Sequence, residues 1–453
     1  MQFMCANQQF VTARIPVLII WGFGLALIGC QQSDMPEPTS QAVETQAKPD
    51  SDKPPAQELR VPQASGAALS NRPEIVSPEQ LKDGWIALFD GQTLFGWVAN
   101  SETDWQVVDG AIVADSETPG LLLTTTKFND YEFRCEIWLE PGGNSGLFLR
   151  TGPFPENPAK DCLEFNLCDG HETYPTGSLV GRDVAEKIVP IEGDWHQVHI
   201  VVNGPHFSAR IDETPVVEAE SPAFLKTSGR RIGLQQNDGE IRFRNIILRP
   251  LGLDSIMESE SLDGWHAAPE GTKLNVANAD GGVRLKGKGY LESDATYADF
   301  ILQFQAKLNA ADVNSGLFFR AQPSTADAPS NGYELQLQNT IANGDRTRPA
   351  DYGDGFGTGA IFRRQAARYV NADDKQWFNV TLVARGNHFA SWVNGLQVTD
   401  FTDTRPTDEN PRRGRRDAAG HLSFQGHDEG TDISIRNMRI KEFGSGGDGG
   451  SGD

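Results

Sequence analysis

The 453-residue sequence is poor in positive charge, in cysteine and in helix signals. Its 40 Lys and Arg residues face 62 Asp and Glu residues, and the formal net charge of −22 argues against nucleic acid or an anionic membrane face as a partner. Of its five cysteines, Cys162 and Cys168 flank an apparent strand and would lie ~20 Å apart if that strand is extended. We therefore expect no structural disulfide.

The first 30 residues predict an export signal. A positively charged flank precedes an apolar run over residues 15–28, which is short for a membrane span. The sequence LIGC at residues 27–30 resembles the lipobox of bacterial lipoproteins, in which Cys30 would be lipidated; an ordinary signal peptide is the alternative. Gln31 stands where an Asp would retain such a protein at the inner membrane. We expect an extracytoplasmic, lipid-anchored protein at the outer membrane or cell surface, bound to the bilayer through this lipid alone.

Two segments have the composition of disordered chain. Residues 31–77 are rich in Gln, Pro, Ser, Glu and Ala and contain almost no aromatic residue, and residues 444–453 are a Gly/Ser/Asp tail. Such segments bury too little apolar surface to offset the entropy lost on ordering. The first is predicted to be a flexible tether, and the second a disordered tail.

One motif occurs twice in this chain. GNSGLFLR at residues 143–150 returns as VNSGLFFR at residues 313–320. Later landmarks repeat in the same order: residues 163–167 match 333–337, residues 176–179 match 358–361, and residues 243–246 match 435–438. A period near 175 residues is the size of a whole domain rather than of a solenoid repeat. The repeats predict two related domains, over residues 78–251 and 252–443.

The composition of both domains indicates an all-β fold. Short runs rich in Val, Ile, Phe, Trp and Tyr alternate with Gly, Asp, Asn and Pro clusters, and Asp109-Gly110 is typical of a hairpin turn. Many short strands at this spacing favour an antiparallel jelly-roll sandwich in each domain. The repeated Asn-Ser-Gly segment is interpreted as a strand start or bulge. Trp195 and Trp377 begin strands and are predicted to lie in the core.

Strand alternation predicts which side chains share a face. In the sequence YELQL at residues 333–337 the apolar residues point one way, and Glu334 and Gln336 point the other. Glu164 and Asn166 have the same placement in the first domain. A carboxylate flanked by carboxamides on a curved sheet would suit sugar hydroxyls. The alternative is an ordinary solvated sheet face.

Together these segments resemble a family of bacterial secreted proteins, the 3-keto-disaccharide hydrolase domain, also described as 3-keto-glucoside 1,2-lyase/3-keto-2-hydroxyglucal hydratase. The resemblance rests on LFDGQTLFGW at residues 88–97, the GNSGLFLR segment and the closing FRNI at residues 243–246. It covers nearly all of residues 80–250, and a weaker copy covers about 255–443. It implies two tandem concanavalin-A-like jelly rolls, in agreement with the strand pattern.

The resemblance also implies a reaction. A ketone at C3 of a glucoside acidifies the C2 proton; a base removes that proton, the C1 glycosidic oxygen leaves, and water adds to the double bond. Such a site needs a base near C2, an acid for the leaving oxygen, and positive charge or a metal beside the enolate oxygen. The implied partner is a carbohydrate, either an oxidised glycoside or a polysaccharide fragment.

The resemblance assigns candidate site residues to both domains. The catalytic candidates are Arg150, Glu164, Asp169 and His171 in the first domain and Arg320, Glu334 and His427 in the second. The substrate-binding candidates are Asn166, Gln235, Gln336 and Gln425. The polar set is divided between the two copies, so the sequence leaves open which domain is active. Asp, Glu and His are ligand types that a divalent metal accepts, but no spacing here demands one.

Three classes of function stay open at this point. The first is an enzyme, which would bring a carboxylate or histidine and an arginine together in one groove with a shifted pKa. The second is a pair of lectin-like carbohydrate-binding modules, which would line the groove with exposed aromatic residues. The third is a scaffold for partner proteins, supported only by the acidic surface and the tether. A basic loop with Arg412, Arg413, Arg415 and Arg416 is interpreted as solvated, with capture of an anionic group as the alternative.

Overall fold

A computed structural model describes the greater part of both domains. The described residues are 57–66, 69, 75–227, 229–257, 261–279, 281–325, 331–350 and 355–444. The predictions for residues 1–30, including Cys30, lie outside them, as do most of the predicted tether and nearly all of the predicted tail. Within the described residues, no helix is both long and apolar enough to cross a membrane.

The first half of the described chain forms a sandwich of two antiparallel sheets. One has eight strands in the order β11-β10-β9-β6-β13-β4-β3, with β1 beside β13, and the other has five in the order β2-β5-β12-β7-β8. The strands are β1 Ile86–Ala87, β2 Trp97–Ala99, β3 Gln106–Val108, β4 Ala111–Ala114, β5 Gly120–Thr124, β6 Tyr131–Leu139, β7 Ser145–Thr151, β8 Leu163–Leu167, β9 Trp195–Asn203, β10 His206–Ile211, β11 Thr214–Glu220, β12 Arg231–Gln236 and β13 Ile241–Pro250.

The second half repeats this arrangement. Its sheets run β16-β17-β28-β19-β24-β25-β26, with β14 beside β28, and β15-β18-β27-β20-β21; β22 and β23 form an additional hairpin. The strands are β14 Asp254–Ser255, β15 Trp265–Ala268, β16 Asn275–Ala279, β17 Gly282–Lys286, β18 Gly289–Tyr297, β19 Phe300–Leu308, β20 Ser315–Ala321, β21 Tyr333–Leu337, β22 Ile341–Ala342, β23 Asp345–Pro349, β24 Phe378–Arg385, β25 His388–Val393, β26 Leu396–Thr402, β27 Gly420–Gly426 and β28 Asp432–Glu442. The predicted all-β fold of two tandem jelly-roll sandwiches is confirmed.

In the described residues, helices are few and short. The α-helices are α1 Pro78–Asp83 and α2 Pro158–Asp161, and the 3-10 helices are Gln63–Gly66 and Pro222–Lys226. Helix α1 begins at a capping box, in which the Ser77 side chain accepts from the backbone of Gln80 and the Gln80 side chain accepts from Ser77. Gly84 ends it with a φ of 90°, a conformation that glycine adopts without strain.

The core of each sandwich lies between its two sheets, and strand alternation fills it. In β6, every second side chain from Tyr131 to Leu139 is buried. Trp195 and Trp377 do not follow the prediction that they are core residues. Both indoles are half-buried, and each is covered by an arginine guanidinium at 3.9 Å, from Arg244 and Arg436 respectively. The arginine that covers each ring comes from a strand distant in the sequence, so the sequence pattern does not reveal this contact.

The two sandwiches share a buried joint. The indole of Trp392, in the second sandwich, is 1% exposed and donates to the carbonyl oxygen of Ala87 at 2.9 Å. Arg368 forms a 2.8 Å ion pair with Asp90, which is itself buried. Independent folding of the two halves stays a prediction. The joint implies that either half alone would expose apolar surface that the full chain buries.

Part of the predicted tether packs on the first sandwich. Arg60 exchanges two 2.7 Å backbone hydrogen bonds with Ala99 at the edge of the five-stranded sheet. Leu59 packs against the apolar side chains of the outer face of that sheet, and Ser65 donates to the carbonyl oxygen of Leu94 at 2.7 Å. The prediction of a flexible tether was therefore wrong for residues 57–66, because an edge strand offered unpaired backbone groups that this segment satisfies.

Candidate functional site

The outer face of each five-stranded sheet carries the predicted polar row. Glu164 lies opposite Phe148 across β7 and β8, and Glu334 lies opposite Phe318 across β20 and β21. Each glutamate is 7% exposed, although it is on the face turned away from the core. The alternative of an ordinary solvated sheet face is therefore excluded for these two residues. Each carboxyl group is therefore largely shielded from solvent.

The repeated Asn-Ser-Gly motif makes room for these carboxyl groups. The Ser145 hydroxyl donates to the carbonyl oxygen of Gln235 at 2.7 Å, which fixes the start of β7 to β12. A Cβ atom on Gly146 would lie 3.3 Å from Glu164 Oε1, and one on Gly316 would lie 2.7 Å from Glu334 Oε1. The motif is thus a strand start, as predicted, and its glycine keeps the space beside the glutamate open.

Burial shifts the proton affinity of both glutamates. It raises the pKa of Glu164 from 4.5 to about 7. It also raises the pKa of Glu334 to about 7, although the positive charges of Arg412 and Arg363 act in the opposite direction. A carboxyl group with a pKa near 7 can both accept and donate a proton at neutral pH, which is the property required of a general base or acid.

The groove of the first sandwich has an apolar floor, and Glu156 is the acidic side chain among the described residues that line its cavity. Leu121, Leu123 and Phe148 form an apolar cluster on its floor, and a cavity of about 350 Å³ opens between Leu121, Phe148 and Gln235. The Gln235 side-chain oxygen, like Glu164 Oε1, lies beside Gly146, and it is buried with no hydrogen-bond partner among the described residues. An amide group in this state can bind a sugar hydroxyl.

The groove of the second sandwich is strongly charged. A cavity of about 240 Å³ beside Glu334 is lined by Arg363, Arg364 and Arg412, and Arg412 Nη2 lies 3.9 Å from Glu334 Oε2. Sequence reasoning missed Arg363 and treated Arg412 as part of a solvated loop. The cluster of arginines in the loop of Arg412 was a signal for a charged site. The position of this loop beside Glu334 depends on the path of the chain between strands, which the sequence does not show.

A second polar centre in this sandwich was also missed. Glu292, 2% exposed, accepts from the Ser324 hydroxyl at 2.9 Å and lies 3.7 Å from His266, which contacts Asp294 at 2.7 Å. His266 and Glu292 are cross-strand partners on β15 and β18. In the first sandwich, the corresponding strands β2 and β5 pair two apolar residues, Val98 and Leu123. The two grooves therefore differ at this end too.

Three candidate residues of the first domain form hydrogen bonds within the loop that follows β8. Asp169 accepts from the Thr176 hydroxyl at 2.6 Å and from the Ile191 backbone at 2.9 Å, and the Asn166 amide donates to the carbonyl oxygen of Tyr174. His171 is exposed, and its Nδ1 accepts from the Tyr174 backbone at 3.0 Å. All three fix the segment that follows β8.

Arg150 and Arg320 lie apart from the grooves. Arg150, 2% exposed, donates to three backbone carbonyl groups and pairs with Asp130 at 2.8 Å; Arg320 does the same, with Asp299 at 2.7 Å. Both have a positive φ, of 50° and 47°, where the register between neighbouring strands shifts. This bulge turns the side chain away from the outer face, which strict alternation cannot anticipate. Their predicted catalytic role gives way to a structural one.

The remaining second-domain candidates are dispersed. Gln336 donates to Asn314 at 2.9 Å, and Gln425 lies 3.4 Å from the Tyr290 hydroxyl; both side-chain oxygens are buried without a partner among the described residues. His427 is exposed beside Asp428, 3.0 Å away. The two amides remain suitable for binding sugar hydroxyls.

Comparison with known families decides the assignment. The model of the 3-keto-alpha-glucoside-1,2-lyase-like domain matches this chain twice, over residues 84–249 and 252–441. The chain belongs to this family. Because the model matches both segments, each of the two sandwiches is a copy of this domain.

One relative and two solved structures show how far the similarity extends. A 3-keto-disaccharide hydrolase of Bacteroides thetaiotaomicron is 33% identical over 78 residues, which span 15% of this chain and 27% of that relative. A crystal structure from Parabacteroides distasonis, provisionally classed as a glycosyl hydrolase, is 20% identical, with 39% of this chain and 98% of that one covered at a TM-score of 0.35. The carbohydrate-binding module CBM66 of Bacillus subtilis is 17% identical, with 42% and 100% covered at a TM-score of 0.27.

The described part of this family member contains no group of three or more His, Cys, Asp or Glu side chains arranged to hold a metal ion. Its cysteines Cys135, Cys162 and Cys168 are free thiols. The described side chains of the grooves present carboxyl, amide and guanidinium groups, with Glu164 and Glu334 in equivalent places.

Proposed function

We propose that the first sandwich cleaves 3-keto-glycosides by elimination and rehydration, with Glu164 as the base that removes the C2 proton. The observation that supports this most directly is a buried carboxyl group, of pKa about 7, next to the Gln235 side chain, which lines a cavity of about 350 Å³. A carboxyl group with this pKa is ionised in about half of the molecules at neutral pH, so it can accept a proton and return it in a later step.

The surroundings of Glu164 suit the charge that develops in this reaction. Proton removal from C2 creates an enolate whose negative charge resides mainly on the C3 oxygen. The Gln235 side-chain oxygen, which lies beside Gly146 together with Glu164 Oε1, can accept from a hydroxyl of the sugar, and the NH2 group of the same amide is the donor proposed for the enolate oxygen. The apolar floor of Leu121 and Phe148 excludes water from one side of the sugar, which strengthens such hydrogen bonds. Protonated Glu164 or a bound water would then supply the proton for the leaving oxygen.

The test uses a 3-keto-disaccharide and its unoxidised parent sugar. The full chain should cleave only the oxidised sugar, because the C2 proton of the parent is not acidic. Glu164→Gln should lower turnover by roughly 10²–10⁴-fold, as expected for loss of a general base, and should leave the circular dichroism spectrum unchanged. Equal cleavage of both sugars, or full turnover by a folded Glu164→Gln variant, would overturn the proposal.

A second candidate function is non-catalytic glycan binding by both sandwiches. It is favoured by the failure of His171, Asp169 and Arg150 to converge on Glu164. In this case tandem grooves would increase the apparent affinity for a polysaccharide through avidity. Binding of unoxidised glycans by the full chain, with no turnover of any 3-keto-glycoside, would support this function over the enzyme.

We also propose that the protein acts while tethered to a membrane through a lipid on Cys30. The support is the apolar run and the LIGC sequence that ends at this residue. Cys30→Ser should release the protein into the soluble fraction or block its maturation. If the processed variant still fractionates with membranes, the lipid-anchor hypothesis is wrong.

A further inference from the structure

The two grooves use equivalent amide groups in different ways. The Ser145 hydroxyl donates to the backbone carbonyl group of Gln235 at 2.7 Å. Ser315 makes the same 2.7 Å bond to Gln425, so the two glutamines hold equivalent places in the two sandwiches. The Gln235 side chain lines the cavity of about 350 Å³, and its NH2 group makes no hydrogen bond to any described residue. The amide of the first groove can therefore donate to a ligand.

In the second groove the amide nitrogens are engaged and the amide oxygens are not. The Gln336 NH2 group donates to Asn314 at 2.9 Å and to Gln338 at 3.1 Å, and these two bonds fix the orientation of the amide. The Gln425 NH2 group lies 3.4 Å from the Tyr290 hydroxyl. Both side-chain oxygens are buried without a partner among the described residues. A buried acceptor in this state requires a donor, and a bound ligand can supply it.

The two amide oxygens lie on either side of the same carboxyl group. Gly316 pairs with Gln336 across β20 and β21, and the neighbouring Ser315 bonds to Gln425 on β27. A Cβ atom on Gly316 would lie 2.7 Å from Glu334 Oε1, so the carboxyl group covers the position between the two amides. Among the described residues, neither amide lines the arginine cavity beside Glu334. The oxygens of Gln336 and Gln425 are called the acceptor pair below.

A serine adds a third unpartnered group to this face. Ser423, 1% exposed, pairs across strands with Phe318, which in turn pairs with Glu334. Its hydroxyl is buried without a hydrogen bond to any described residue, and it shares a face with Gln425, two residues along β27. Gly233 stands at the same place in the first sandwich. Three unpartnered oxygens on one face indicate a binding site rather than one imperfectly packed side chain.

We propose that the second sandwich binds the unoxidised form of the sugar that the first sandwich cleaves, with the C3 hydroxyl and a neighbouring hydroxyl donating to the acceptor pair. Carbonyl oxygens accept from a hydroxyl group but repel a ketone oxygen, which is itself only an acceptor. The inference rests on the proposed function in one respect, which is that a sugar places its C3 oxygen in the second groove as it does in the first. It does not depend on proton removal by Glu164.

The experiment is a calorimetric titration of the full chain carrying Glu164→Gln, in which turnover of the oxidised sugar is suppressed. The ligands are a neutral disaccharide, its 3-deoxy counterpart and its 3-keto counterpart. The unoxidised disaccharide should bind at least about tenfold more tightly than the 3-deoxy one, because only the former has the C3 donor. Neither of these two sugars has an acidic C2 proton, so their comparison is independent of which residue acts as the base.

Further substitutions locate the site. Gln336→Leu and Gln425→Leu, each added to the Glu164→Gln chain, should weaken binding of the unoxidised disaccharide by about tenfold. They should leave the affinity for the 3-keto disaccharide unchanged, because that sugar binds in the first sandwich. Gln235→Leu should have the opposite effect, weakening binding of the 3-keto disaccharide alone.

Asn371→Leu is the matched control in the second sandwich. The Asn371 side-chain oxygen is also buried without a partner among the described residues, but its NH2 group donates to Val393, in the eight-stranded sheet. This variant should bind both sugars as the Glu164→Gln chain does. Thermal melting confirms that each variant is folded.

Equal affinity for the unoxidised and 3-deoxy sugars, or undiminished binding of the unoxidised sugar by both folded glutamine variants, would overturn the inference. An equal loss for the 3-keto sugar in those variants, or an equal loss in Asn371→Leu, would also contradict it. If the wild-type chain never cleaves the 3-keto sugar but the acceptor pair keeps its preference, the proposed reaction is rejected and this site stands. Normal turnover without that preference rejects this site alone.

Discussion

The two sandwiches hold the same carboxyl group in opposite surroundings. Glu164 lies beside an apolar floor and the amide of Gln235, while Glu334 lies beside Arg363 and Arg412. Burial raises the pKa of each glutamate to about 7, so the shared fold sets the proton affinity and the loops set the charge around it. A duplicated domain can thus keep its central acid and still offer the two copies to different ligands.

The largest effects on stability should come from what the copies share. Arg150→Met and Arg320→Met each remove a buried member of an ion pair and the donors to three backbone carbonyl groups, and each should lower the free energy of unfolding by about 3–5 kcal/mol. Urea denaturation measures this. A loss below 1 kcal/mol in either variant would contradict the structural role of these arginines.

The joint between the sandwiches gives a second large effect. Trp392→Ala should cost about 3–5 kcal/mol, because it empties a buried site and leaves the Ala87 carbonyl without its indole donor. Residues 78–251 and 252–443, expressed separately, should each fold but melt at a lower temperature than the full chain. An unchanged melting temperature for both halves would show that the joint contributes no stability.

The sequence predicted the tandem repeat, the all-β fold and the two glutamates, because each depends on local order or on strict strand alternation. Alternation failed at Arg150 and Arg320, since a bulge with positive φ redirects the side chain without changing the residue pattern. It could not place Arg412, because the position of that residue depends on a long loop that returns to a distant strand. Residues 57–66 were misjudged for a related reason: composition does not show a free sheet edge.

A smaller effect should appear as a pH dependence of stability. The pKa of Glu164 rises from 4.5 to about 7 on folding, so the folded state binds the proton more tightly than the unfolded state does. This contribution to the free energy of unfolding is complete below pH 4.5 and is lost as the pH rises through 7. The shift corresponds to about 3 kcal/mol. Glu164→Gln should therefore unfold at higher urea than wild type at pH 8 and at the same urea at pH 4.

Glu334→Gln should show a gain of about the same size at pH 8, because the pKa of Glu334 also rises to about 7 although Arg412 and Arg363 act in the opposite direction. No gain in Glu334→Gln at pH 8 would mean that these arginines offset the burial of the carboxyl group in full. No gain in Glu164→Gln at pH 8 would mean that the carboxyl group is not buried as described.

The smallest effects on stability are expected from alanine substitution of Gly146 and Gly316, the glycines beside the two glutamates. Gly316→Ala places a Cβ 2.7 Å from Glu334 Oε1, whereas Gly146→Ala places one 3.3 Å from Glu164 Oε1. The alanine at position 316 should cost about 1–3 kcal/mol and the one at position 146 clearly less. Thermal melting of both variants tests this, and a reversed order would contradict the described packing of the two carboxyl groups.

The central claim is that Glu164 of the first sandwich, and not Glu334 of the second, removes the C2 proton. Hydrogen exchange at C2 tests this claim most directly. A 3-keto-glycoside is incubated in deuterium oxide with wild type, Glu164→Gln or Glu334→Gln, and NMR follows loss of the C2 proton signal from substrate and product. We predict rapid exchange with wild type and Glu334→Gln, and exchange slowed by roughly 10²–10⁴-fold with Glu164→Gln. Slowed exchange with Glu334→Gln and normal exchange with Glu164→Gln would contradict the account and place the chemistry in the second sandwich.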